Sequence, residues 1–304
     1  MGTQRSRGGD PEVPTGVSMT ALGVAAARAI ESARPDRLFE DSLAEEFVAA
    51  AGPSFEEIQP QGRSDLEPTL KRFFDYAALR TRFFDDYLLA ACAAGCRQVV
   101  MLAAGLDTRA FRLPWPEGVR LFELDLPEVF AFKERVLAKQ SPNPACSRIV
   151  VEADLRTDWP SALIGDGGLR PEGPTAWLAE GILPYLTGEE NDRVMGSIGR
   201  ISAFGSRLAF EHMKRDAQES PFFRQAAAAL AEFGVFWQSS LASPGEWLAR
   251  YGWQGQVFDS TDLAASYGRP GSAREGFAEA NANIAWLAEA VRNRTRPLQS
   301  TVHY

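Results

Sequence analysis

Cysteine and histidine are both scarce in this sequence, with 3 Cys and 2 His among 304 residues. So few thiols predict no disulfide framework. Cys92 and Cys96 stand four residues apart on a predicted helix, but the sequence offers no further ligands near them, so no metal site is expected. The motifs Gly-x-Ser-x-Gly, His-Glu-x-x-His and the phosphate loop do not occur either. Hydrolase and nucleoside-triphosphatase functions therefore lose their usual support.

A basic excess and long apolar runs are also missing. Lys and Arg number 32 against 40 Asp and Glu, a net charge of −8, which disfavours a general nucleic-acid partner. The best apolar run, residues 87–96, stops well short of the roughly 18 residues that a membrane helix needs. The N-terminus has no apolar signal core. We expect a cytoplasmic protein without a membrane partner; nothing in the sequence indicates its oligomeric state.

What is present suffices for a large core, since 45% of the residues are hydrophobic and 24% are charged. Residues 1–17 are rich in Gly, Pro, Arg and Ser, which is typical of a mobile tail. Apolar residues at helical spacing follow, with an interruption at Pro35, a second helix starting near Asp41, a loop over 52–68 and a long helix over 68–94. Residues 18–95 are therefore predicted to form an N-terminal helical cap.

From residue 96 onward, short apolar runs alternate with amphipathic stretches such as 128–139 and 189–201. The runs have the length of buried strands and cover 98–103, 120–126, 148–153, 175–179 and 207–210. A further strand is expected at 256–258 and a final helix over 272–292. Alternating strands and helices predict a doubly wound, mostly parallel sheet, so residues 96–304 are expected to form a Rossmann-like α/β domain. Its aromatic C-terminal segment is expected to shape the substrate pocket.

Acidic residues and tight turns follow the predicted strands, where ligands bind in such a sheet. The first strand is followed by Ala103, Ala104, Gly105 and Asp107, the second ends at Asp125 and Leu126, the third leads into Asp154 and Leu155, and the fourth leads into Glu180. Asp125 comes 20 residues after Gly105, the spacing at which nucleotide-binding sheets place the acid that hydrogen-bonds a ribose.

The first turn nevertheless lacks the Gly-x-Gly-x-x-Gly pattern of dinucleotide sites, and the charge of Asp107 opposes a pyrophosphate. An acidic rim suits a nucleoside that carries a positive centre and no phosphate. S-adenosylmethionine, with its adenosine, sulfonium and amino acid portions, has this chemistry and is the expected cofactor.

The strand-end motifs also resemble those of a known family. Residues 102–113 (LAAGLDTRAFRL), 122–127 (FELDLP), 154–156 (DLR) and 177–186 (WLAEGILPYL) are similar to the leucine carboxyl methyltransferase family, especially to its bacterial branch abundant in actinomycetes. Residues 25–31 and 80–86 match as well, so the resemblance spans about residues 18 to 290. It implies a class I methyltransferase fold and methyl transfer from S-adenosylmethionine.

The resemblance also implies roles for individual residues. Arg28 and Arg80 would bind the cofactor's carboxylate, and residues 103–105 would pass beside its methionine portion. Asp125, with Leu126 beside it, would accept from the ribose hydroxyls. The adenine would be held by Asp154 and Leu155, and Glu180 would face the amino group and sulfonium. Asp107 would hold the same turn or the ammonium group. One departure is Ala103, where the members that methylate a protein phosphatase carry Gly; its methyl group would narrow the approach slightly.

The methyl acceptor is less well defined by the sequence. A carboxylate of a small molecule or peptide terminus is favoured, because it is already ionised at pH 7 and needs no general base. A hydroxyl of a natural product is the alternative, with His212, placed just after the fifth strand, as the base. A catalytically silent cofactor-binding protein is a third hypothesis. Tyr185 is a candidate for positioning the acceptor, and the tryptophans of the last third are expected in the core or a lid.

Overall fold

A computed structural model describes residues 19–52, 67–232, 234–269 and 284–293 of the chain. The proposed tail over 1–17 lies outside these residues, as does most of the loop predicted over 52–68. The seven strands of the described part are β1 (Gln98–Leu102), β2 (Arg120–Asp125), β3 (Ser147–Glu152), β4 (Thr175–Ala179), β5 (Arg207–Met213), β6 (Gln254–Phe258) and β7 (Ala285–Val291).

The strands form one sheet in the order β3-β2-β1-β4-β5-β7-β6. Strands β1 to β5 are parallel, and β7 is antiparallel to both β5 and β6. The strand order reverses direction between β1 and β4, which creates the switch point where the connections leave on opposite faces. The predicted doubly wound, mostly parallel sheet is therefore confirmed.

Burial follows strand position. Every residue of β1 and β4, the two central strands, is buried, as expected when helices cover both faces of a parallel sheet. The outer strands β3 and β6 are mostly exposed or half-buried. The apolar segments of β1 and β4 thus form strands at the centre of the sheet, where both faces of an extended chain are buried.

Helices flank the sheet and precede it. They are α1 (Thr20–Ser32), α2 (Ser42–Ala51), α3 (Glu67–Ala93), α4 (Arg109–Arg112), α5 (Pro127–Gln140), α6 (Trp159–Gly165), α7 (Gly188–Arg200), α8 (Pro221–Ala231), α9 (Pro244–Arg250) and α10 (Ser260–Ser266). The predicted start of the second helix near Asp41 is confirmed, because the Asp41 side chain accepts a hydrogen bond from the Leu43 amide and caps α2. No helix in the described ranges is long and apolar enough to cross a membrane.

Two predictions about the C-terminal part of the sheet are wrong. The helix predicted over 272–292 is a strand where the structure describes it, namely β7 at Ala285–Val291. The fifth strand does not end at 210 but continues to Met213, so His212 lies within the strand and pairs in register with Trp286. The Ala-rich sequence of β7 suits a helix, but its place between β5 and β6 satisfies its backbone groups on both sides, and tertiary context overrides propensity.

The core is divided between the two faces of the sheet. On one face, Phe210, Trp177 and Leu208 pack with Trp247 and Trp253. On the other, α3 contributes aromatic and aliphatic side chains that pack against Val99, Leu121 and Ala209. A third cluster joins α1, α2 and α5. The helices before the sheet are thus anchored next to β1 and β2, beside the edge where the parallel strands end.

Candidate functional site

A cavity opens at the carboxyl ends of the parallel strands. It is lined by the residues that follow β1, β2, β3 and β4, together with side chains from α1 and α3. Every residue predicted to contact the cofactor lines this one cavity: Arg28, Arg80, Ala103, Ala104, Gly105, Asp107, Asp125, Leu126, Asp154, Leu155 and Glu180. The parallel sheet brings them together because its strands end at a common edge.

The turn after β1 has an unusual backbone. Ala103 has a φ of 50° and Gly105 a φ of 53°, so both lie in the left-handed region. For Gly105 this costs little, but for Ala103 the Cβ crowds the backbone, so the methyl has a conformational cost besides narrowing the approach. A Cβ added at Gly105 would also stand only 3.2 Å from the Cβ of Ala21 on α1. The glycine therefore lets the N-terminal helix approach the turn closely.

Asp125, the last residue of β2, is held by two backbone amides. Its Oδ2 accepts from the Gly105 amide at 2.6 Å and its Oδ1 from the Leu126 amide at 2.7 Å. Burial raises the pKa of Asp125, although the two amides stabilise the charged form and partly oppose that effect. Each oxygen keeps a further lone pair, so the carboxylate is oriented and able to accept from two adjacent hydroxyl groups.

Asp154 lies at the outer end of the cavity, after β3. Its Oδ1 accepts from the Arg156 amide at 2.9 Å, and its Oδ2 is 3.9 Å from Nη1 of Arg156. Leu155 and Leu126 line the cavity nearby. A carboxylate beside apolar side chains is an arrangement that suits a flat heteroaromatic ring with an exocyclic amine.

Glu180, after β4, is bound by two arginines. Its Oε1 accepts from Nε of Arg80 at 2.9 Å and its Oε2 from Nη1 of Arg109 at 2.8 Å. The same Arg109 group donates to Asp107, which also accepts from the Arg109 amide. Burial alone would raise the pKa of Glu180, but the charges of Arg109 and Arg80 outweigh it and lower that pKa. Asp107 behaves alike: burial opposes its charge, yet Arg109 and Arg28 lower its pKa.

The two arginines predicted to bind a ligand carboxylate are already engaged with protein groups. Arg80 donates from Nη1 to Glu211 at 2.6 Å in addition to its bond with Glu180. Arg28 donates from Nε to Asp41 at 2.8 Å and from Nη2 to the Leu106 carbonyl at 2.6 Å. These contacts fix the orientation of both guanidinium groups at the cavity wall.

His212 does not line the cavity. It is buried on β5, and its ring makes an edge contact with Trp247 at 6.2 Å between centroids. Burial lowers the pKa of His212 to about 4. The side-chain nitrogen of Asn191 lies 3.3 Å from Nε2 and also donates to the Leu183 carbonyl. This placement argues against His212 as a general base.

Tyr185 lies next to the cavity without lining it. It belongs to a short 3-10 turn, Leu183–Tyr185, between β4 and α7. Its hydroxyl is hydrogen-bonded to the side chains of Trp237 and Thr20, and burial raises its pKa. Thr20 does line the cavity. The Trp237 ring packs against Phe223 at 4.7 Å between centroids. Trp247 and Trp253, in contrast, are core residues.

Sequence reasoning missed two residues that organise the site. Arg109 is completely buried and bonds three carboxylates, those of Asp107, Glu180 and Asp85. Its position two residues after Asp107 could have indicated this role, since an arginine that closely follows an aspartate in a turn can form an ion pair with it. Glu211 gave no local signal, because its partner Arg80 is 131 residues away in sequence.

The fold and the site define the class of the protein. A sheet of this order with one antiparallel strand, and with a cavity lined by paired carboxylates and arginines at the ends of its parallel strands, is that of a class I methyltransferase fold. A solved structure from Thermobifida fusca, whose name places it among methyltransferases, has a similar fold: the TM-score is 0.54, with 17% identity over 90% of this chain and 94% of that one.

Sequence comparison gives the family. The family model described as leucine carboxyl methyltransferase matches residues 21–199, more than half of the chain. A relative from Parafrankia sp. is 52% identical over 84% of this chain and 82% of its own, and one from Frankia alni is 47% identical over 90% and 98%. Both are named as S-adenosyl-L-methionine-dependent methyltransferases. The chain belongs to the leucine carboxyl methyltransferase family.

Proposed function

We propose that this protein is an S-adenosylmethionine-dependent O-methyltransferase that methylates a carboxylate of a small molecule or a peptide terminus. One observation carries the proposal: the oriented Asp125 carboxylate and the Glu180–Arg80 pair face a common cavity at the switch point of the sheet. The methyltransferase family and the names of the relatives support the same cofactor.

The residues of the cavity fit this cofactor. Asp125 is oriented by the Gly105 and Leu126 amides in a way that suits vicinal ribose hydroxyls. Asp107 and Glu180 both have lowered pKa values, so they are ionised at neutral pH and match the cationic part of the molecule.

When bound, S-adenosylmethionine would supply an electrophilic methyl group to an acceptor oxygen in line with the carbon–sulfur bond, with neutral S-adenosylhomocysteine as the leaving group. The task of the protein is to hold both reactants in alignment, and good alignment is worth roughly 7–11 kcal/mol of the barrier. Arg28 and Arg80 are fixed at the wall and would bind the amino acid carboxylate, while Asp154 would accept from the adenine amine. The helices α1 to α3, with Thr20 and Ala21 at the cavity, would cap the site and exclude water.

The acid–base properties of the site favour a carboxylate acceptor over a hydroxyl. A hydroxyl has to lose a proton, so a general base must reach it. Asp107 and Glu180 are weak bases, because arginine charges lower their pKa values, and His212 lies outside the cavity lining. A carboxylate enters already ionised and needs only to be aligned.

Tyr185 is proposed to help position the acceptor. Its oxygen accepts a hydrogen bond from the Trp237 indole, which can only donate, and its hydroxyl is also hydrogen-bonded to the Thr20 side chain. When the Thr20 hydroxyl is the donor of their hydrogen bond, the proton of Tyr185 can be donated to an acceptor group in the cavity. A neutral donor binds a carboxylate without cancelling its charge, which keeps the carboxylate nucleophilic.

The test is turnover with donor labelled in the methyl group, first against cell extract from the producing organism and then against the isolated acceptor. A carboxyl methyl ester releases labelled methanol on mild alkaline treatment, whereas a methyl ether does not. Release of methanol is expected. Alkali-stable label would reject the carboxylate and favour hydroxyl methylation, and the absence of any transfer would favour a silent binding protein.

A binding measurement tests the cofactor assignment separately. Asp125→Asn should weaken S-adenosylmethionine binding in calorimetry by about 1.5–3 kcal/mol, the range for hydrogen bonds to a charged group. Asp166→Asn is the matched control, since Asp166 is exposed and does not line the cavity. Equal affinity in the Asp125 variant, or a preference of the native protein for NAD, would overturn the assignment.

A further inference from the structure

Mostly buried charged side chains in the cavity wall and behind it form one continuous series of ion pairs. The series links three arginines and four carboxylates in the order Arg112, Asp85, Arg109, then Asp107 and Glu180, then Arg80 and Glu211. With three positive and four negative groups, it carries one net negative charge. None of these side chains is more than 14% exposed.

A net charge in such a place is costly unless something compensates it. Taking an ionised group out of water has a large desolvation penalty, which is recovered only through an opposite charge or hydrogen bonds. Within the series Arg80 and Arg109 each lie between carboxylates, whereas Arg112 pairs with Asp85 alone at one end. The carboxylate at the other end, Glu211, has a single arginine partner, Arg80. The uncompensated negative charge of the series should therefore attract a cationic ligand that binds in the cavity.

Glu211 occupies a defined place at the end of this series. It is buried on β5, its Oε2 accepts from Nη1 of Arg80 at 2.6 Å, and its Oε1 accepts from the Tyr76 hydroxyl at 2.7 Å. Burial and the charge of Glu211 raise the pKa of Tyr76, so its hydroxyl stays protonated and donates. Glu211 is not part of the cavity lining and reaches the cavity through Arg80.

We propose that Glu211 is a positioning residue that orients Arg80 and, through its charge, makes the cavity prefer a cationic adenosine ligand over a neutral one. The inference rests on the proposed cofactor. S-adenosylmethionine carries a net positive charge, whereas its product S-adenosylhomocysteine has lost the sulfonium charge and is neutral. Such a preference would weaken retention of the product after each turnover.

The experiment measures three ligands by calorimetry: S-adenosylmethionine, S-adenosylhomocysteine and sinefungin, which bears an ammonium group in place of the sulfonium. Glu211→Gln removes the charge and keeps the shape. The affinity of each cationic ligand relative to the neutral one is expected to fall about fivefold, as for a charge acting across several ångströms of partly polar protein.

Two controls separate charge from structure. Tyr76→Phe removes the hydroxyl bonded to Glu211 but leaves the carboxylate, so the ratio of affinities should stay within twofold of that of the native protein, roughly the size of a weak hydrogen-bond effect. Glu134→Gln makes the same chemical change at a half-exposed glutamate that pairs with Arg148, and the ratio should not change.

A second variant, which changes the net charge of the series in the opposite direction, distinguishes a charge effect from a folding defect in Glu211→Gln. Arg112→Gln, at the far end of the series, makes the net charge more negative and should increase the preference for the cationic ligands. An unchanged ratio in Glu211→Gln, or changes of the same sign in both variants, would overturn the inference. If none of the three ligands binds the native protein, the proposed cofactor fails instead, and calorimetry of the native protein alone reveals this.

Discussion

His212 should make the protein sensitive to mild acid, and the structure allows the effect to be estimated. Burial lowers the pKa of this histidine from its ordinary value of 6.5 to about 4. The Asn191 amide also faces Nε2, so a proton on that nitrogen would meet a donor. The unfolded chain thus binds a proton more readily than the folded one between about pH 6.5 and pH 4.

The sign follows from proton linkage. Where the unfolded state binds more protons, the free energy of unfolding falls as the pH falls. Well above pH 6.5 the histidine is neutral in both states and His212 has no effect on the pH dependence of stability. At pH 5 the unfolded histidine is almost fully protonated and the folded one is mostly neutral, which lowers the free energy of unfolding by about 2 kcal/mol. Below pH 4 the loss reaches its limit of about 3 kcal/mol.

The assay is urea unfolding at pH 7.5 and pH 5.0, carried out in a His303→Gln background so that His212 is the sole imidazole. The perturbation is His212→Gln, whose carbonyl oxygen can accept from Asn191. The variant has its own cost at pH 7.5, but its loss of stability on going to pH 5.0 should be smaller than that of the parent by about 2 kcal/mol. An equal loss in both proteins would refute a buried, neutral His212.

Other predictions concern the first turn and the buried charges. Ala103→Gly should raise the free energy of unfolding by about 0.5–1 kcal/mol, because glycine tolerates the left-handed backbone. Gly105→Ala should lower it by about 2 kcal/mol, because the added methyl group meets both a left-handed backbone and the Cβ of Ala21. Thermal unfolding of both variants measures this, and equal midpoints would contradict it. Lys133→Met removes a partner of the fully buried Glu123 and should cost about 3 kcal/mol in urea unfolding. Glu134→Gln, which breaks a half-exposed pair, should cost less than about 1 kcal/mol, and a similar loss in both would show that burial is not the cause.

The ion-paired arginines Arg80 and Arg109 affect how the cavity binds a ligand. Arg80 and Arg109 together bond four carboxylates, and their orientations are set before any ligand enters. Charged groups that are already oriented need no reorganisation on binding, which favours both affinity and alignment. The cost of this arrangement is a dense set of buried charges, in which the loss of any single member leaves its partners uncompensated.

The sequence by itself determined the parallel part of the fold and eleven of the residues that line the cavity. The strands from β1 to β5 were predicted because a short apolar run between turn residues reports burial locally. These cavity residues could be predicted to lie close together from the sequence alone, since parallel strands in such a sheet end at one edge. Asp125 and Gly105 were linked in this way by their spacing, and the structure joins them through a hydrogen bond.

Tertiary structure decided what depends on contacts between distant residues. The segment at Ala285–Val291 has a helical composition, and only the open edge of β5 makes it a strand. Glu211 meets Arg80 across 131 residues, and no local pattern reports that pairing. His212 was predicted after the end of the fifth strand, but it is buried within β5, because β5 extends beyond the apolar run that predicted it. The local sequence pattern thus predicts which segments are buried. The partner of a buried polar group depends instead on which distant elements pack against it in the fold.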